Sequence, residues 1–135
     1  KLVTNNGGAT NEFIGSDYVS ASGSVQTTDA TVASLSEIFL NTQESITVTG
    51  QVIGAQSDHT NAVGGNFVIT ARRQAAGIIT LIGAPVINVN SSSAATFTVD
   101  VNSINQVVRI RVTGVAATTY NWVSTFNFQK VLTNA

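Results

Sequence analysis

The 135-residue chain contains no cysteine and no methionine, and only one proline, one histidine and one tryptophan. Without cysteine, neither disulfides nor thiolate-held metals contribute to its fold. A catalytic triad would have to take its base from the lone His59, and no Gly-x-Ser-x-Gly elbow presents a nucleophile. A zinc site built on Asp58 and His59 would find no second imidazole anywhere in the chain. Charge is equally scarce. Six Lys/Arg and seven Asp/Glu make up 10% of the residues and leave a net charge of −1, against roughly 25% charged residues in an ordinary soluble domain. This balance excludes bulk electrostatic attraction to nucleic acid or to an anionic membrane. No apolar run approaches the length of a membrane span, so membrane insertion is not expected. No basic stretch followed by an apolar run opens the sequence, so no signal peptide is expected either. The acids are scattered singly, without the paired carboxylates of a glycosidase. The expectation is a protein without enzymatic activity or cofactor.

Thr, Ser, Asn, Ala and Val fill the chain instead, a composition common in shells, fibres and secreted scaffolds. With few charges to keep copies apart, part of the surface is expected to be buried against other subunits. The dominant pattern is alternation with a period of two, the mark of a strand with one face on a core. Ala95, Phe97, Val99 and Val101 alternate with polar residues, as do Val108, Ile110 and Val112, and then Tyr120, Trp122, Phe126 and Phe128. These three runs read as an antiparallel meander. Upstream, Ser45–Ala55 and Asn66–Arg73 alternate in the same way, with Gln56–Gly65 between them reading as a loop. Ile78–Val89 reads as a strand interrupted by Pro85, which cannot donate to a ladder. Thr27–Leu40 reads as an extended segment with a bulge or a short turn. Seven or eight strands with turns every eight to twelve residues predict an all-β antiparallel sandwich, jelly-roll-like, over residues 26–135. Residues 1–25, rich in Gly and Ser, read as an extended N-terminal arm. The predicted inner faces hold Ile46, Val48, Phe67, Ile69, Phe97, Val99, Val108, Ile110, Val112, Trp122 and Phe126.

Candidate contacts to other subunits or to a glycan are Arg109 and Arg111, which share the face opposite Val108, Ile110 and Val112; Tyr120, near a turn; and Phe13, Ile14 and Tyr18 in the arm. Arg72 and Arg73 point to opposite faces, so one of them is expected to reach a partner or a loop carboxylate. None of the Gly-Gly pairs opens a helix, so no phosphate loop is expected.

The succession of segments carries a resemblance. QTTDAT (Gln26–Thr31) is followed by SITVTGQVIGAQ (Ser45–Gln56), FVITARRQ (Phe67–Gln74), TLIGAPVI (Thr80–Ile87), FTVDV (Phe97–Val101) and VVRIRVTGVAATTYNWVSTFNF (Val107–Phe128). Over about residues 26–131 this resembles a β domain found in tail fibres, appendages and other minor structural proteins of tailed bacteriophages. That family pattern is richer in acids in the loop before FTVDV, where this chain has Asn90–Ser93. The resemblance implies a virion structural protein, most simply a tail-fibre or appendage component contributing to host attachment. Its partners would be further copies of itself, a trimer being favoured because such fibres are commonly trimeric, together with other virion proteins and host surface polysaccharide. A capsid decoration protein and a carbohydrate-binding module are the alternatives. The resemblance transfers no catalytic residue.

Overall fold

The computed structural model describes residues 16–132. They form nine strands and, among the described residues, no helix: β1 (Ser16–Thr27), β2 (Val32–Phe39), β3 (Glu44–Gln56), β4 (Ala62–Arg73), β5 (Ile79–Leu81), β6 (Val86–Ser91), β7 (Thr96–Asn102), β8 (Val107–Thr113) and β9 (Tyr120–Leu132). All pairings are antiparallel. Sheet A runs β1-β9-β3-β4, with β5 and β6 both paired to β4, and sheet B runs β2-β8-β7. The result is the antiparallel sandwich that the alternation predicts, with β1→β2, β2→β3, β6→β7 and β8→β9 crossing between sheets as in a jelly roll, and β3–β4 and β7–β8 kept as hairpins.

The core forms where the two inner faces meet. All eleven residues predicted to face inward are buried. Phe67, Val48, Trp122 and Phe126 come from sheet A, and Phe97, Val99, Val108, Ile110 and Val112 from sheet B. Full burial of one such aliphatic or aromatic side chain contributes on the order of 2 kcal/mol, so the alternating positions drive the closure of one sheet on the other. The largest buried side chain, Trp122, lies over Gly54, where an added Cβ would stand 2.7 Å from the indole Cδ2. Its Nε1–H donates to the buried Thr27 Oγ1 at 3.0 Å, which satisfies the one polar atom the ring takes into the core.

Four expectations change. The predicted meander does not form: β7 and β8 pair, but β8 lies between β7 and β2 in sheet B, while β9 joins β1 and β3 in sheet A. Alternation reports which side of a strand is buried, and both sheets bury a side against the same core, so it does not report which sheet a strand joins. Next, β4 begins at Ala62, inside the expected loop. Its Gly64 and Gly65 look like loop composition, but Gly65 is where the backbone of β6 approaches so closely that a Cβ would overlap Asn88 O. Third, the arm boundary moves. Residues 16–25 belong to β1, which pairs with β9 from Ser16↔Val131 to Thr27↔Tyr120; the sequence suggests only a short edge strand around Tyr18–Ser20, because the Ser-rich alternation with Ala21, Gly23 and Val25 is too weakly apolar to read as a strand of that length. Last, there are nine strands, because the Ile78–Val89 segment divides at Gly83–Pro85 into β5 and β6. The expected irregularity in β2 is present as a register shift between Ser34 and Ser36.

Candidate binding face

The two outer faces differ in chemistry. Sheet B presents Arg109 and Arg111 from its central strand, flanked by Glu37 on β2 and Asp100 on β7. Arg109 donates from Nε and Nη2 to the two carboxylate oxygens of Asp100, at 2.8 and 2.9 Å. That hydrogen bonding raises the guanidinium pKa further. Arg111 Nη1 stands 4.0 Å from the same carboxylate, and its buried Nε has no partner among the described residues. The two arginines thus share one face, as their parity requires, but the planar fork of Arg109 is occupied by Asp100.

Sheet A presents almost no charge. Successive strand partners place Ser22, Thr125, Gln51, Asn66 and Asn88 in one row, and Ser20, Asn127, Thr49, Val68 and Val86 in the next. Between them runs the backbone of Ala21, Phe126, Gly50, Phe67 and Ile87, whose side chains point into the core or are absent. The two rows are the walls of a transverse trough of about 870 Å³ whose floor is this line of backbone. The trough spans β1, β9, β3 and β4, so three strand spacings make it roughly 14 Å long, and two residues of strand rise separate its walls by roughly 7 Å. Beside it, Val123 and Ile53 pair across β9 and β3 and stand 46% and 55% exposed, with Gly64 as their small neighbour on β4. Arg72, two rows beyond Val68 on β4, is the one charged side chain at the outward-facing positions of the described parts of β1, β9, β3, β4 and β6.

The remaining candidate residues fall elsewhere. Tyr120 is not a surface contact: it is fully buried, stacked on Trp122 with ring centroids 5.7 Å apart, and its hydroxyl meets Ser93 Oγ at 2.6 Å. An aromatic ring next to the β8–β9 crossing is drawn into the core by that crossing, and Ser93 satisfies its polar end. Phe13 and Ile14 lie outside the described residues, and Tyr18 lies in β1 as backbone, its side chain outside the description. Among the described residues Arg73 reaches no carboxylate. It donates to the backbone carbonyls of Leu40 and Gly77 at 2.9 and 3.0 Å and so ties two loops to the end of β4. Asp58 accepts from the Thr60 N–H at 3.0 Å while His59 takes φ +60°, so the acid–imidazole pair is the tip of the β3–β4 hairpin. No group of three or more His, Cys, Asp or Glu able to hold a metal occurs among the described residues.

No family model matches the sequence, and no curated protein matches it. The fold is similar to part of the tailspike protein of Acinetobacter baumannii phage AM24, with a TM-score of 0.51 and 8% identity over 89% of this chain and 27% of that one. The tailspike protein of Acinetobacter phage vB_ApiP_P1 aligns over 93% of this chain and 24% of its own length, at 18% identity and a TM-score of 0.30. The chain therefore spans about a quarter of each tailspike's length, and at these identities the likeness to the first is one of fold.

The trough was not among the residues singled out from sequence. Its signal was present in the outward positions of three strands, Ser20–Ser22, Thr49–Gln51 and Thr125–Asn127, which carry hydroxyls and amides with no charge. Only the strand order places those three pairs side by side.

Proposed function

We propose that this chain is a structural domain of a bacteriophage tail appendage that contributes to host attachment, a binding part of the particle rather than an enzyme. The observation that carries this reading is the shared sandwich: 89% of the chain aligns in three dimensions with a segment of a phage tailspike protein. The sequence resemblance over about residues 26–131 points the same way, and so does the neutral polar trough across sheet A. In this reading the domain works as one of several copies in a virion appendage, a trimer being the arrangement the resemblance favours.

Gold-labelled antibodies against residues 16–132, applied to particles of the virus that encodes the chain, test the reading directly. Label at the tail supports it. Label confined to the head would replace it with capsid decoration, and expression without any labelled particle would refute a virion role.

A further inference from the structure

We propose that the transverse trough on the outer face of sheet A is a binding site for a neutral polysaccharide lying across the strands. This gives a ligand class to the attachment reading above and rests on it. Six side chains carry the argument: Ser20, Ser22, Thr49, Gln51, Thr125 and Asn127. Hydroxyls and carboxamides both donate and accept, which is the capacity a polyol needs from its partner. None of the six makes a side-chain hydrogen bond to another described residue, in contrast to Thr47 and Thr70 two positions along, which bond to each other at 3.0 Å. The capacity of these six is therefore open to a ligand, while Asn66 at the end of the trough already accepts from Asn88 Nδ2 at 2.8 Å.

Other occupants fit less well. No charged residue lines the trough, so nucleic acid, phosphate or a uronate polymer would give up hydration without gaining an ion pair. An extended peptide held across a sheet needs pockets for alternate side chains, whereas the floor here is a continuous line of backbone from Ala21 to Phe67. A second copy would bring Ser, Thr and Gln to the centre of an interface, where aromatic and arginine anchors are the rule. Two such concavities placed face to face would also enclose a void. A chain of sugar rings places hydroxyls against both walls. The exposed Ile53 and Val123 beside one wall, and Val68 and Val86 at the end of the other, offer apolar surface for the C–H faces of the rings.

Affinity electrophoresis of the full chain through gels containing dextran, mannan, galactan or polygalacturonate tests the assignment. Retardation by at least one of the three neutral polymers, and none by polygalacturonate, is expected. In the double variant Gln51→Ala/Thr125→Ala the affinity should fall roughly tenfold, the size expected for the loss of two neutral hydrogen bonds, with an unchanged melting curve. Thr98→Ala, on the outer face of sheet B, should bind as the parent does. Retention by none of the neutral polymers, a preference for the acidic one, or equal binding by the double variant would overturn the proposal. So would a self-association seen in sedimentation that Gln51→Arg abolishes, because a second copy would then fill the face. Tail-labelled particles without neutral-polymer binding would remove the trough assignment and leave the attachment reading. Polymer binding without particle labelling would do the reverse.

Discussion

Thr27→Val isolates the one fully buried side-chain hydrogen bond among the described residues, between neighbouring strands β1 and β9. Thr27 is 5% exposed and Trp122 is 1% exposed, and the indole Nε1–H donates to Thr27 Oγ1. Valine keeps the shape of threonine and removes only the acceptor. The indole N–H is then left buried and unpaired, which costs about 1–3 kcal/mol. For a domain of this size, 1 kcal/mol moves the thermal midpoint by about 3–5 °C, so the midpoint should fall by roughly 3–15 °C. Trp122 is the single tryptophan, and its fluorescence reports the transition without interference. The stronger test is a double-mutant cycle followed by circular dichroism. In a Trp122→Phe background there is no N–H to strand, so the same Thr27→Val change should cost less than about 0.5 kcal/mol. A Thr27→Val protein as stable as the parent would refute the reasoning, and so would an equal cost in both backgrounds. The first result would mean that the indole nitrogen finds another partner, and the second that Thr27 matters through packing.

Ser124 makes the opposite case: its hydroxyl is buried without a partner among the described residues, so Ser124→Ala should raise stability, by up to about 1 kcal/mol in urea denaturation. Arg73→Ala removes two charge-assisted bonds to the carbonyls of Leu40 and Gly77 and should cost about 2 kcal/mol by the same assay. Asp58 is held below its ordinary pKa, chiefly by the Thr60 N–H. A depressed folded pKa stabilises above the unfolded value of 3.8, and that contribution is lost as pH falls through the folded value. Asp58→Asn should therefore flatten the acid limb of the stability profile, read by melting temperature from about pH 5 downward. Finally, a cut before Ser16 should leave the sandwich folded, whereas deletion of residues 1–25 strips most of β1 from β9 and should lower the melting temperature sharply.

How much of this was legible follows from what alternation encodes. The inward set from Ile46 to Phe126 could be read residue by residue, because a pleated strand buries every second side chain whichever neighbour it has. Pro85 marked the break between β5 and β6 for the same local reason. Strand order is a different kind of information. It is set by which apolar faces close best together, and Trp122 could have faced the core from either sheet. The trough inherits that gap: Ser22, Thr125, Gln51 and Asn66 come from four strands, and nothing local to any one of them announces the other three. Arg109 and Arg111 were legible as a shared face because both lie on β8. The pairing that occupies Arg109 was not, because Asp100 comes from the neighbouring strand β7.

The position of β9 has a consequence for how the domain comes into being. It is the last of the described strands, yet it lies second in sheet A, bonded along its length to β1 on one side and β3 on the other. During synthesis β1 emerges first and has no partner until almost everything described here has left the ribosome. Until then the β3 edge that β9 will cover stays open as well, with Val48 and Val52 on one side of that strand and Thr49 and Gln51 on the other. Closure joins the most distant parts of the sequence and depends on long loops being closed first, which makes it slow. A nascent chain of this kind is exposed to pairing with the wrong neighbour for as long as β9 is missing. If several copies are made on one message, β9 of one chain and β1 of another can meet before either finds its own, and the order of synthesis then decides between a closed sandwich and an exchanged one.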